Sequence, residues 1–191
     1  MKKIPTLFER TFEKGRVTGI TSQVTAGCEW VLAGEGIATK KWDGTCVFVE
    51  QGITYKRYDA KHGKTPPEGF VPAQPDADPV TGHWPGWMPL SLSPDKWIAE
   101  AVTNYQENGA TLIDGTYEAI GPKINGNRDA ATAHILKKHG DQQYETISHT
   151  PLTYDAILAF LQEQHTEGIV FHHPDGRMSK IKRSDFDLSW K

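Results

Sequence analysis

The chain has 191 residues, 37% of them hydrophobic and 24% charged, which is enough for one soluble domain with a complete core. Its formal net charge of −3 argues against a protein that coats nucleic acid nonspecifically. We find no apolar run long enough to span a bilayer, no secretion signal, and no metal-ligand spacing between Cys28 and Cys46. We therefore expect a monomeric, cytoplasmic protein with reduced thiols and no membrane partner.

The first 37 residues give weak structural signals, with a short strand predicted at 28–32. A strand, turn and strand follow, because 45–49 is rich in β-forming residues, Gln51-Gly52 favours a turn, and 53–55 resumes the pattern. This reading places Lys41 at the start of a hairpin.

Residues 62–93 are rich in proline and glycine, which predicts a long irregular loop. Trp84 and Trp87 in this loop could stack on nucleic acid bases. We favour the simpler interpretation that the two indoles anchor the loop to the core.

A helix is predicted next, with Ser93 as its cap and Gly109 at its end. Two short strands are expected within 111–120 and a short helix at 129–138. The apolar spacing of 153–164 predicts a second amphipathic helix.

The C-terminal part reads as a strand at 168–172, a turn, and a returning strand at 178–182. Together, the predicted elements favour an α+β fold with antiparallel sheets and flanking helices.

The segment Lys41-Trp42-Asp43-Gly44 carries the most informative chemistry. A deprotonated lysine amine can attack the α-phosphate of ATP. Side chains alternate along a strand, so Lys41 and Asp43 are expected on one face, with Lys40 on the other. Lys41 is therefore our candidate nucleophile, with Asp43 near metal-bound water and Gly44 at a close backbone approach to a ligand. The same four residues also fit an ordinary turn with a solvated lysine.

Four further motifs follow in order: Lys56-Arg57-Tyr58, Gly115-Thr116-Tyr117-Glu118-Ala119, Glu167-Gly168-Ile169-Val170-Phe171 and Lys180-Ile181-Lys182-Arg183. With the Lys41 motif, they resemble the ordered motifs of the covalent nucleotidyltransferase superfamily of ATP-dependent polynucleotide ligases and mRNA capping enzymes. A closer resemblance, to the small 5′-3′ RNA ligase family with a vertebrate member, covers nearly the whole chain. It is carried by residues 41–45, 78–87, 121–123 and 172–178.

The resemblance implies a single adenylation domain over residues 1–191, with an ATP cleft. In a departure from the superfamily, no separate C-terminal oligonucleotide-binding domain is expected, because Arg183 is only eight residues before Lys191. It implies joining of 5′-phosphate and 3′-hydroxyl RNA ends, with ATP and with Mg²⁺ or Mn²⁺ as cofactors, through AMP bound covalently to a lysine. The implied catalytic residues are Lys41, Asp43, Glu118, Glu167, Lys180 and Lys182. The implied nucleotide-binding residues are Thr39, Lys41, Arg57, Glu118, Lys180 and Lys182, and the implied metal ligands are Asp43, Glu118 and Glu167.

Residue spacing supports part of this site independently. Lys180 and Lys182 should share one strand face, with Ile181 in the core, and an anion between the lysines would relieve their repulsion. The alternative is a solvated lysine pair, just as Glu118 and Arg57 could be ordinary surface residues of strands.

Other interpretations remain open. The adjacent His172 and His173 should face opposite ways on a strand, and no histidine spacing supports a zinc site. Arg177 and Arg183 are expected to attract RNA rather than to bind the nucleotide. A DNA ligase, a capping-type nucleotidyltransferase and a non-catalytic nucleotide-binding protein are the alternative functions.

Overall fold

The structure is a computed structural model that describes residues 2–13, 16–79 and 81–189. Val80, which belongs to the quoted segment 78–87, lies outside the described residues. The strands and helices, in chain order, are β1 (Phe8–Glu13), β2 (Arg16–Val24), α1 (Glu29–Leu32), β3 (Ile37–Lys41), β4 (Thr45–Glu50), β5 (Ile53–Ala60), β6 (Val71–Pro72), β7 (Trp84–Pro89), α2 (Lys96–Glu107), β8 (Gly115–Ile120), β9 (Ile135–Lys138), α3 (Tyr154–Glu163), β10 (Gly168–His172) and β11 (Met178–Lys182).

The chain divides into two compact units. The first contains Met1–Lys3 and Asp43–His139, and the second contains Ile4–Trp42 and Gly140–Lys191. All paired strands are antiparallel and helices are few within the described residues, so the predicted α+β class is confirmed. None of the helices in that part of the chain has the length and apolar character of a membrane span. The single domain, the ATP cleft, the monomeric state and the cytoplasmic location stay predictions.

The second unit contains a three-stranded sheet in the order β11-β10-β3 and a hairpin of β1 and β2. Helix α3 begins after Thr153, whose side-chain oxygen accepts a hydrogen bond from the Ala156 amide at 3.1 Å. Ile157 and Leu161 of α3 are buried in the same core as Ile169 of β10. One face of the three-stranded sheet is therefore covered by α3. Side chains at alternate strand positions point to the opposite face.

The first unit contains a six-stranded sheet in the order β6-β7-β5-β4-β8-β9. Its core includes Val47 and Val49 of β4 and Tyr117 of β8, and α2 contributes Ile98 and Ala101. The predicted strands at 45–49, 53–55, 168–172 and 178–182 and the predicted helix at 153–164 are confirmed.

Two predictions near the N-terminus are wrong. The expected strand at 28–32 is helix α1, because Cys28, Trp30 and Val31 are all buried in one core and strand alternation would turn one of them outward. Lys41 does not open a hairpin; it is the last residue of β3, which pairs with β10.

The segment 62–93 is more regular than predicted, because it contains β6 and β7. Pro85 in β7 has no amide hydrogen to donate to a neighbouring strand. Its carbonyl still accepts a hydrogen bond from the Ala73 amide at 2.9 Å. Trp87 is buried and its ring lies 5.1 Å from that of Phe48, which confirms the anchoring interpretation for this residue. Trp84 is half-buried, and its indole N–H donates to a backbone carbonyl.

Three boundaries in the first unit also differ. The helix expected after Ser93 begins at Lys96, because the buried Asp95 accepts a hydrogen bond from the Ser91 amide and closes a turn first. Only residues 115–120 of the two strands expected within 111–120 form a strand. The helix expected at 129–138 is wrong, because this segment ends in β9, which pairs with β8 and buries Leu136.

Candidate functional site

One face of the sheet in the second unit carries a group of cations. In the strand register, Lys41 of β3 lies opposite Gly168 of β10, which lies opposite Lys182 of β11. Two residues away, Thr39 and Lys180 flank β10 in the same manner. Alternation along each strand therefore places all these side chains on one face, as predicted for the two lysines of β11. We call Lys41, Lys180 and Lys182 the lysine cluster.

Glu167 joins two members of the lysine cluster. One of its carboxylate oxygens pairs with the Lys41 ammonium, and the other lies 2.6 Å from the Lys182 Nζ. Burial raises the pKa of Glu167, but the charges and hydrogen bonds of Lys41 and Lys182 lower it by a larger amount. The net result is a pKa below the ordinary value. The carboxylate is thus held ionised between two ammonium groups.

Lys180 has a different environment from its neighbours. Burial lowers its pKa to about 8, and the positive charges of Lys41, Lys182 and Arg10 act in the same direction, whereas Glu167 acts against them. Within the described part of the chain, no carboxylate lies within ion-pair distance of its Nζ. The charge on Lys180 is therefore poorly compensated, which is the environment that favours an anionic ligand.

Arg10 is a fourth cation that the sequence did not reveal. It lies on β1, and its Nη2 donates to the Asp185 carboxylate at 2.9 Å. Its Nε is buried and makes no hydrogen bond within the described residues. Among the described residues, the carboxylates that pair with the lysine cluster and Arg10 are Glu167 and Asp185, which leaves a net charge of +2 in this set. No sequence spacing links residue 10 to residue 180.

The buried hydroxyls of Thr39 and Thr166 form hydrogen bonds with backbone carbonyls of β3 and β10 at this site. Thr166 is fully buried, and its hydroxyl donates to the Gly168 carbonyl at 2.9 Å and to the Lys41 carbonyl at 3.4 Å. Thr39 is also buried, and its hydroxyl donates to the Val170 carbonyl. A side chain at Gly168 would place a Cβ only 2.1 Å from the Ile181 carbonyl oxygen, so glycine allows β10 and β11 to approach.

Asp43 and Gly44 belong to the first unit. Strand β3 ends at Lys41, so the alternation argument that placed Asp43 on the same face does not extend to it. The Asp43 carboxylate pairs with Arg128 at 3.2 Å and is mostly buried. A Cβ on Gly44 would lie 2.1 Å from the Ala119 carbonyl oxygen, so its close neighbour is strand β8.

Glu118 and Arg57 also belong to the first unit and are engaged within it. One Glu118 oxygen accepts from the Gly44 amide at 3.1 Å, and the other lies 3.0 Å from His139 Nε2. Arg57 donates to Asp59 at 2.9 Å, and its guanidinium lies 5.3 Å from the Trp87 ring centre. The common metal site of Asp43, Glu118 and Glu167, and the nucleotide contact of Arg57, stay predictions.

The two arginines that were expected to attract RNA have structural partners. The Arg183 guanidinium donates to the carbonyls of Leu161 and Gln164 at the end of α3, the latter at 2.9 Å. Arg177 pairs with Asp175 at 2.8 Å and lies 5.8 Å from the Trp30 ring centre. Arg183 is therefore committed to the helix end, whereas half of the Arg177 side chain remains exposed.

Comparison with known proteins provides evidence about the family of this chain that is independent of the site geometry. The chain is 26% identical to RNA ligase 1 of Pongo abelii in an alignment of 223 positions that covers 81% of this chain and 68% of that protein. RNA ligase 1 of Mus musculus gives the same identity and coverage. RNA ligase 1 of Danio rerio is 29% identical in an alignment of 140 positions that covers 57% of this chain and 42% of that protein. These relatives support an RNA ligase family. No protein-family model matches the chain.

The cations and the carboxylates described above suit different kinds of ligand. The lysine cluster and Arg10 provide the ammonium and guanidinium donors that bind phosphate oxygens. Asp43, Glu118 and Glu167 provide carboxylate oxygens, which are the ligands that Mg²⁺ prefers. Each of these carboxylates already accepts hydrogen bonds from protein groups, so a cation would compete with those donors.

Proposed function

We propose that this chain is an ATP-dependent RNA ligase that attaches AMP to Lys41 and then joins a 5′-phosphate RNA end to a 3′-hydroxyl end. The observation that carries the proposal is the lysine cluster, in which Lys41 shares a sheet face with Lys180 and Lys182 and an ion pair with Glu167. The choice of RNA is supported by the similarity to proteins named RNA ligase 1.

In the proposed first step, the Lys41 amine attacks the α-phosphate of ATP. A nitrogen–phosphorus bond forms, the bond to the β-phosphate oxygen breaks, pyrophosphate leaves, and the amine loses a proton. Lys180 and Lys182 suit the triphosphate because their ammonium groups lie on the face where the attack occurs. Their positive charges would stabilise the negative charge that develops on the phosphate oxygens.

Glu167 has a role that follows from its two ion pairs. Lys41 forms an ion pair with Glu167, and an amine held in that pair is not available as a nucleophile. We propose that this contact maintains the site before ATP binds and is broken before attack. Lys182, which shares the carboxylate, is free to turn to the phosphates when Glu167 is drawn away.

Divalent metal is the second proposed cofactor. The carboxylates of Asp43, Glu118 and Glu167 fit Mg²⁺, or Mn²⁺ in its place, by their chemistry. When bound, such a cation neutralises charge on the reacting phosphate. Glu167 is the member of this set that also contacts the proposed nucleophile, so a cation bound to it would compete with Lys41 for the same oxygens.

The remaining steps return the lysine to its starting state. In the second, a 5′-phosphate oxygen of RNA attacks the phosphorus of lysyl-AMP, the nitrogen–phosphorus bond breaks, and Lys41 regains a proton. In the third, the RNA 3′-hydroxyl attacks the activated 5′-phosphate, a phosphodiester bond forms, and AMP leaves.

A strand-joining assay tests the proposal. RNA and DNA strands of matched sequence, each with a 5′-phosphate and a 3′-hydroxyl, are incubated with the protein, Mg²⁺ and either ATP or GTP. We expect ATP-dependent joining of RNA. Joining of DNA alone would indicate a DNA ligase, nucleotide transfer from GTP to RNA ends would indicate a capping-type enzyme, and nucleotide binding without turnover would indicate a non-catalytic protein.

A further inference from the structure

Three side chains of the first unit that are far apart in sequence meet at one place. The Cys46 Sγ, a Glu118 carboxylate oxygen and a His139 ring nitrogen all lie within 4.8 Å of one another. Cys46 of β4 is paired directly with Glu118 of β8. His139 follows β9 immediately, and its amide donates to the Thr116 carbonyl of β8, which brings the imidazole to the same strand.

Neighbouring groups orient two of these side chains toward a common point. His139 Nδ1 lies 3.0 Å from the Thr116 hydroxyl, so the ring presents Nε2 to Glu118. The Gly44 amide donates to one Glu118 oxygen at 3.1 Å and leaves the other beside that Nε2. A second contact of this kind fixes the ring orientation of histidines that bind metals.

The spacing of the three ligand atoms suits a small cation. Around a tetrahedral ion with bonds of about 2.0–2.3 Å, ligand atoms lie about 3.3–3.6 Å apart. The observed limit of 4.8 Å requires only side-chain adjustments of about 1 Å to reach that spacing. Glu118 is mostly buried, whereas Cys46 and His139 are half-buried, so the protein supplies a shielded site that an ion can still enter.

We propose that Cys46, Glu118 and His139 form a binding site for a zinc-class divalent cation, with three protein ligands and one open position. A thiolate and an imidazole select borderline-soft ions such as Zn²⁺ or Co²⁺ over Mg²⁺, which takes oxygen ligands. Glu118 also belongs to the magnesium set proposed above, but the thiolate and the imidazole give this site a different ion preference, and the proposal does not depend on ligase activity.

Cobalt absorption provides the direct test. Full-length protein is freed of metal with a chelator, without ATP or RNA, and titrated with Co²⁺ alone. We expect one Co²⁺ per chain, with the charge-transfer absorption of a cobalt–thiolate bond, and displacement by Zn²⁺. Cys46→Ala should abolish this absorption, and His139→Gln should weaken Co²⁺ binding at least tenfold, about 1.4 kcal/mol. Cys28→Ala is the matched control, because Cys28 lies in the core of the second unit, and it should leave the absorption unchanged.

Alkylation of the wild-type protein gives a second measurement that needs no folded variant. Burial raises the pKa of the Cys28 thiol, so that residue should react slowly and Cys46 should dominate the rate. Zn²⁺ should protect Cys46 from the alkylating reagent, as read by mass spectrometry of its peptide. A thiolate absorption that survives Cys46→Ala, no stoichiometric Co²⁺ binding to the wild type, or no protection by Zn²⁺ would overturn the proposal.

Discussion

Lys41 and Lys182 lie in the same row of the sheet, on opposite sides of β10, and share a single carboxylate partner. The residue between them in the row is Gly168, which adds no side chain to the space that the two ammonium groups enter. In the part of the chain that the structure describes, Glu167 is the carboxylate that pairs with both lysines, so a change in its contacts alters both at once.

The two lysines of β11 should both be needed for self-adenylylation. If they bind the triphosphate, Lys180→Ala and Lys182→Ala should each lower the rate about 10²–10³-fold, even without RNA. The defect should persist at high salt, because close and partly buried contacts are poorly screened. Rates of covalent labelling with ATP at low and high salt provide the measurement.

Arg177→Ala is the matched control for these lysines, because Arg177 precedes β11 and is half exposed. It should leave self-adenylylation near the wild-type rate and weaken RNA joining at low salt only. Equal and modest effects of all three substitutions would place the phosphate site elsewhere. Arg183→Ala should instead lower stability, because its guanidinium binds the end of α3.

Substitution of Lys180 should stabilise the fold at neutral pH. The folded protein lowers the pKa of Lys180 from 10.5 to about 8, so below pH 8 the folded state carries a charge that it disfavours. The unfolded chain binds more protons between pH 8 and 10.5, so this cost is full below about pH 8 and disappears as the pH rises to 10.5. Lys180→Met should therefore increase the free energy of unfolding at pH 7 by on the order of 2 kcal/mol.

Urea unfolding at pH 7 and at pH 10 measures this effect, with Lys64→Met, at an exposed position, as the control. The gain from Lys180→Met should be smaller at pH 10, and the control should show little change at either pH. A loss of stability in Lys180→Met at pH 7 would mean that the Lys180 charge is well compensated in the folded protein.

Glu167 should contribute both to stability and to catalysis. Its pKa is lowered in the folded state, so its stabilising contribution is present above its ordinary pKa and is lost as the pH falls through the lowered one. Glu167→Ala leaves two ammonium groups without their counter-charge, which should cost about 3 kcal/mol at pH 7. The difference from wild type should shrink below about pH 4.

Self-adenylylation by Glu167→Ala should also be strongly slowed, at saturating Mg²⁺ and at a temperature where the variant is folded. An unchanged labelling rate, or full wild-type activity in excess chelator, would show that neither the carboxylate nor a divalent cation takes part.

Arg10 should act on the nucleotide from outside the recognised motifs. Arg10→Gln removes one cation beside Lys180, so the KM for ATP in self-adenylylation should rise about tenfold, while kcat changes less. Thr11→Ala is the control, because Thr11 is the next residue of β1 and contacts Thr18 of β2 at the exposed side of the hairpin. Unchanged kinetics in Arg10→Gln would limit Arg10 to its ion pair with Asp185.

Sequence patterns predicted those parts of the fold that depend on residues close together in the sequence. The shared face of Lys180 and Lys182 followed from alternation in a short hairpin whose turn is visible in the sequence. The helix predicted at 153–164, observed at 154–163, followed from apolar spacing. Alternation failed at Asp43 because the strand ends at Lys41, although residues 41–44 also fitted a turn.

Other features depend on contacts between distant segments. The segment 129–138, with three alanines, favours a helix by itself, and its pairing with β8 makes its end a strand. Arg10 reaches the environment of Lys180 through the placement of β1, and Cys46, Glu118 and His139 meet through three neighbouring elements of one unit. Sequence spacing carries no trace of either group, which is why both were missed.

The most direct test of the central claim is the covalent attachment of AMP to Lys41. Wild-type protein, Lys41→Ala and Lys40→Ala are incubated with labelled ATP and Mg²⁺, denatured, and mapped by mass spectrometry. Lys40 is the adjacent lysine, and its Nζ lies 4.0 Å from the Trp42 ring centre, so it controls for nonspecific labelling. We expect AMP on Lys41 in the wild type and in Lys40→Ala, and none in Lys41→Ala. AMP that remains on the Lys41→Ala protein would contradict the account.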